Sequence, residues 1–120
     1  MKVAITAQGQ DLESLVDLRF GRAPWFIIAN LDTGEHQAVT NDQNLALAQG
    51  AGIQSAGNVA RYGPAYLITG HCGPNAFRAL TGAGIKIIVG VEGTVGEALE
   101  RFKRGELEET KGPDVEGHWA

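Results

Sequence analysis

The stretch Ala65-Tyr66-Leu67-Ile68-Thr69-Gly70-His71-Cys72-Gly73-Pro74-Asn75-Ala76-Phe77 decides how the chain is read. Ala65 to Thr69 is a short apolar run of the kind that makes a buried strand. Pro74 suits the first position of a helix, because its ring fixes a helical φ and its missing N–H would be unpaired there in any case. Gly73 is then the N-cap, and His71 and Cys72 sit in the turn before the helix. A thiol and an imidazole are thereby placed beside free backbone N–H groups at the positive end of a helix dipole. A thiol so placed is biased toward thiolate, and an anion is attracted there.

Working outward, the helix that starts at Pro74 runs to Thr81 with Phe77 and Leu80 facing inward, and Gly82-Ala83-Gly84 ends it. Ile85 to Gly90 is a further apolar strand. Thr94-Val95-Gly96-Glu97 is a capping-box pattern, with Thr94 as N-cap and Glu97 reaching back. Val95, Leu99 and Phe102 then recur at helical spacing, so Thr94 to Lys103 is an amphipathic helix stopped by Gly105. On the other side, Gly50 to Arg61 has Ile53, Ala56, Gly57 and Ala60 on one helical face, and Tyr62-Gly63-Pro64 ends it. Further back lie three strands: Lys2 to Ala7, Trp25 to Leu31 and His36 to Asn41. The turn Asp32-Thr33-Gly34-Glu35 is too short for a parallel crossover, so these form an antiparallel meander. Gln8 to Arg19 is a polar surface loop, followed by the turn Phe20-Gly21-Arg22-Ala23-Pro24.

Two β–helix–β crossovers, right-handed and parallel by rule, join the third strand to the fourth and the fourth to the fifth. The simplest sheet is five-stranded and mixed, in the order 3-2-1-4-5, with the second strand antiparallel and three main helices. That is an α/β, three-layer, ribonuclease-H-like fold. We expect one domain over residues 1–107 and a C-terminal tail over 108–120. In such sheets a ligand sits beyond the carboxyl ends of the parallel strands. Three loops should meet there: Gln8 to Gly21, Gly70 to Gly73, and Gly90 to Thr94. Two of them open helices, so the expectation is an anion-tolerant pocket with Cys72 and His71 at its lip.

Composition narrows the function. The net charge is −4 with no dense basic stretch, which disfavours nucleic acid and anionic membranes. A single Cys forms no internal disulfide, and neither a signal-peptide apolar region nor a membrane-length run is present. A cytoplasmic protein is expected. Nuclease chemistry needs carboxylates on the central strands, and Lys2 to Ala7 and Ala65 to Thr69 have none. With no Cys-x-x-Cys pair, a structural zinc site is excluded. Walker and dinucleotide glycine patterns are absent. His36 reads as strand surface, and His118 lies in the tail.

Phe20-Gly21-Arg22-Ala23-Pro24 with an aromatic next, Gly50-Ala51-Gly52-Ile53-Gln54, Thr69-Gly70 followed by Gly73-Pro74-Asn75-Ala76-Phe77, and Gly90 to Thr94 ahead of Val95 resemble the dinitrogenase iron–molybdenum cofactor biosynthesis family. The resemblance covers about residues 1–107. It implies a ribonuclease-H-like fold without nuclease activity that binds or carries an iron–sulfur or iron–molybdenum cluster. Its partners would be cluster-donor or cluster-acceptor proteins, and the chain a monomer or weak homodimer. The residues expected to meet the cluster are Arg22, His71, Cys72, Gly73, Asn75, Gly93 and Thr94, with Cys72 and His71 as metal ligands. A preformed anionic cluster can be held by one or two soft ligands, N–H groups and a cation such as Arg22. The rival readings are an interaction or regulatory module without metal and, more remotely, a small enzyme with Cys72 as nucleophile and His71 as base.

Overall fold

The computed structural model describes residues 1–43, 46 and 50–113. In chain order the elements are β1 (Lys2–Ala7), a one-turn 3-10 helix η1 (Phe20–Arg22), β2 (Trp25–Asn30), β3 (His36–Thr40), α1 (Ala51–Ala60), β4 (Tyr66–Ile68), α2 (Pro74–Gly82), β5 (Lys86–Ile88) and α3 (Val95–Lys103). They form one five-stranded sheet in the order β3-β2-β1-β4-β5, as the crossover argument requires. β1 pairs antiparallel with β2, from Lys2↔Asn30 to Ala7↔Trp25, and parallel with β4, from Val3↔Tyr66 to Ile5↔Ile68. β2–β3 is antiparallel and β4–β5 parallel.

The period of two along the strands sorts the apolar side chains into two cores. Val3, Ile5, Ile27, Ala29, Ile68 and Ile88 point to one face and pack with Val95, Ala98 and Leu99 of α3. Ala4, Phe26, Ile28, Leu67 and Ile87 point to the other and pack with Ala56 and Val59 of α1, Ala76 and Leu80 of α2, and Phe20 of η1. The result is three layers, with α1, α2 and η1 on one side of the sheet and α3 on the other. The residues from Val3 to Ala7 have no exposure at all, which fits a strand paired on both edges and covered on both faces.

One local expectation needs correcting. The buried stripe of α1 is Gly52, Ser55, Ala56 and Val59, whereas Gly57, assigned to the inner face, is exposed. Ser55 can sit inside because its hydroxyl accepts from Asn41 Nδ2 at 2.9 Å and from Gln43 Nε2 at 2.8 Å, which satisfies a group that would otherwise be costly to bury. Within the segment expected as a C-terminal tail, the Thr110 N–H donates to Ile87 O at 2.6 Å and the Thr110 hydroxyl accepts from the Val89 N–H at 3.2 Å. Part of the outer edge of β5 is thus covered.

Candidate functional site

Three connecting segments converge at the carboxyl ends of β1, β4 and β5. Residues 8–19 form a strap laid across those ends and laced down by backbone hydrogen bonds. Under it, Asp17 N–H donates to Thr6 O at 2.9 Å, and the Thr6 hydroxyl donates to Asp17 O at 2.8 Å. On one flank Val16 N–H donates to Gly93 O at 2.8 Å, and Leu15 bridges Thr94. On the other flank Phe20 N–H donates to His71 O at 3.2 Å, and Arg19 bridges His71 in parallel fashion. Gly70 makes the close approach possible: a Cβ there would lie 2.6 Å from Leu18 Cα and 2.7 Å from Leu18 O.

The strap changes what the two helix starts can do. At α3 every early amide is taken. Thr94 N–H donates to Glu97 Oε1 at 2.9 Å and Glu97 N–H to Thr94 Oγ1 at 3.1 Å, the predicted capping box. Val95 N–H donates to Ser14 O at 2.9 Å and Gly96 N–H to Leu12 O at 2.8 Å. The expectation of two open sets of N–H groups is therefore corrected: the strap's own carbonyls satisfy the one at α3. Gly93 and Thr94 are committed to the strap and the cap. At α2, Gly73 is the N-cap with no side-chain cap, and Pro74 opens the helix. The amides of Gly73, Asn75 and Ala76 have no acceptor among the described residues.

Cys72 is not at a lip. It is 1% exposed and packs in the core beneath α1 and α2, with its Sγ 3.7 Å from Gly73 O. The turn that precedes α2 folds this side chain inward, where it behaves as a small apolar group. The expectation of a solvent-presented thiol is overturned, and with it the thiolate contact to a surface ligand. His71, next in line, is half-buried at the strap's flank. Asn75 is exposed, its Oδ1 accepting from Arg78 at 2.6 Å. Arg22 is exposed at the end of η1, two residues beyond the Phe20–His71 hydrogen bond. It lines a depression of about 270 Å³ with Pro24, Asn41, Gln43 and Ala51, so it faces the start of α1 more than that of α2.

The structure thus brings His71, Gly73 and Asn75 together, keeps Arg22 on the adjoining element, and sets Gly93 and Thr94 across the strap. Among the described residues no group of three or more His, Cys, Asp or Glu could hold a metal ion. His118 lies outside the described residues. Sequence reasoning missed the larger depression of about 630 Å³ between strap and α3, floored by Leu12 and Leu99, because it depends on long-range backbone pairing. No helix among the described residues is long and apolar enough to cross a membrane.

A ribonuclease-H-like sheet carrying a strapped carboxyl edge and a glycine–proline helix start defines a recognisable class. The chain belongs to the family described as dinitrogenase iron-molybdenum cofactor, whose model matches residues 1–105. The apo form of the orange protein from Desulfovibrio gigas is similar at 41% identity, covering 95% of this chain and 96% of that one, with a TM-score of 0.89. A protein from Thermotoga provisionally assigned as NifB is 39% identical over 97% of this chain and 98% of its own, with a TM-score of 0.80. A Methanocaldococcus jannaschii protein provisionally assigned as a dinitrogenase shares the fold at 18% identity, 94% and 97% coverage and a TM-score of 0.72. No curated protein matches the chain.

Proposed function

We propose that this protein is a non-catalytic carrier of a preassembled, anionic metal–sulfur cluster of the iron–sulfur or iron–molybdenum type, held at the carboxyl edge of the sheet beside His71. The cluster is cargo, received from one protein and passed to another. The observation that carries the reading is a pair of facts at one place. The amides of Gly73, Asn75 and Ala76 lack acceptors among the described residues, and a half-buried imidazole adjoins them, in a chain of the cofactor family. The donor set suits an anion that brings its own sulfides better than a bare metal ion, which would need more side-chain ligands. Few covalent links also favour delivery, since each must break on transfer. The buried Cys72 removes the accessible nucleophile that the enzyme reading needs. A lone, buried thiol suits a reducing interior such as the cytoplasm.

Anaerobic reconstitution with iron, sulfide and molybdate tests this. The protein should acquire a visible absorption band that co-elutes with it, weakened in His71→Ala and in Arg22→Glu and retained in Cys72→Ala. Wild-type protein that stays colourless rejects the carrier role. A band lost only in Cys72→Ala would instead mean that the core opens to give a thiolate-held cluster.

A further inference from the structure

Between Asp42 and Glu92 the sequence contains no Asp or Glu. The described part of that stretch builds α1 and α2, which cover the sheet face opposite α3. Exposed there are Arg61 at the end of α1 and Arg78 on α2, with Arg22 on η1, which packs against α1. None of the three is in an ion pair among the described residues, although Arg78 donates to Asn75. Asp42, the last carboxylate before that stretch, accepts from the Thr40 hydroxyl through Oδ2 and from Asn58 Nδ2 through its backbone carbonyl. The opposite layer reverses the sign. Glu97 and Glu100 lie on α3, Glu92 precedes it, and Glu106, Glu108 and Glu109 follow it, six carboxylates against the four cations Arg101, Lys103, Arg104 and Lys111, three of which are paired to them. Asp11 and Glu13 flank Leu12, whose carbonyl meets the start of α3. A chain of net charge −4 therefore presents one cationic face.

We propose that the α1–α2 face is the docking surface for an acidic patch on a protein partner. The same helices also carry small or polar residues that are exposed or half-buried, Gly57 and Asn58 on α1 and Thr81 on α2. Complementary charge there speeds encounter and fixes orientation, turning the acidic α3 layer away from the partner. Nucleic acid fits less well, because among the described residues no fully exposed aromatic on this face offers a stacking surface. Arg22 also serves the proposed cluster site, whereas Arg61 and Arg78, which the test replaces, lie outside it, Arg78 touching it only through its hydrogen bond to Asn75 Oδ1.

The test uses ligand-free protein and a fluorescein-labelled oligoglutamate peptide, read by anisotropy at low and high ionic strength. Wild-type protein should bind the peptide at low salt and release it at high salt. Arg61→Glu/Arg78→Glu should weaken binding about tenfold. Lys103→Glu/Arg104→Glu, which changes the net charge equally on the α3 layer, should bind like wild type. Equal loss in both double variants would mean that binding follows net charge alone, and the proposal falls. It falls too if wild-type protein ignores the peptide at low salt, or prefers an oligothymidylate of equal charge. Circular dichroism verifies that the variants, all at exposed positions, stay folded.

Discussion

Gly70 and Cys72 are two residues apart, and each position has consequences that its type alone does not announce. At Gly70 the neighbour is backbone, Leu18 Cα and carbonyl, and backbone cannot rotate aside as a side-chain tip could. Gly70→Ala should therefore lift the strap and destabilise the protein by about 1–3 kcal/mol, the range for overpacking. Thermal or denaturant unfolding checks it, and an unchanged midpoint would mean that the strap yields freely. Cys72 is the converse case. Its 1% exposure predicts that a thiol reagent added to native protein reacts only through transient opening, and rapidly once denaturant is present. Fast labelling without denaturant would contradict the packing described. The direction in which a turn cysteine points is not written in local pattern: Thr69-Gly70-His71-Cys72-Gly73 is compatible with either face, and the core side wins only because α1 and α2 leave a small apolar space beneath the turn.

Among the elements, α3 shows sequence and structure in closest agreement. Thr94-Val95-Gly96-Glu97 is a local signal read locally, and both reciprocal hydrogen bonds form. Hydrogen bonds from Thr94, the backbone N–H first and the side chain second, hold the Glu97 carboxyl below its ordinary range, with Arg101 adding to the effect. A carboxyl whose pKa is lower folded than unfolded contributes stability above its unfolded pKa, and that contribution disappears as pH falls through the folded value. Wild type should thus exceed Glu97→Gln in stability at neutral pH, and the gap should close on acidification below the usual carboxylate range. Denaturant midpoints of the two proteins across that range measure it; a gap independent of pH would assign the effect to shape instead of charge. Thr94→Ala should cost about 1 kcal/mol by loss of the cap. The face of α1 was less legible. Ser55 reads as polar in any periodicity count, and only its long-range partners Asn41 and Gln43 reveal why it is buried.

For the whole molecule, strand order was legible because it follows from connection lengths: one short turn forces a meander, and two helical crossovers force parallel neighbours. The site was legible in part. That three loops meet follows from the same topology, but that one loop would consume the amides of α3 does not, since Ser14 and Leu12 carry no mark of pairing with residues about 80 positions away. The same topology fixes how the sheet should open. β1 is hydrogen-bonded on both sides and its residues Val3 to Ala7 are fully buried, so its amides can exchange with solvent only when the fold as a whole is lost. Among the described residues β5 is covered on its outer edge at Thr110. Among the described residues β3 is paired only to β2, and its residues are half-buried or exposed. Native-state hydrogen exchange should rank β1 slowest and β3 fastest among the strands, with the outward-facing amides of β3 close to unprotected. Strong protection along that outer edge would mean that a second strand covers it, and would make β3, instead of the cationic helix face, the first place to look for a partner.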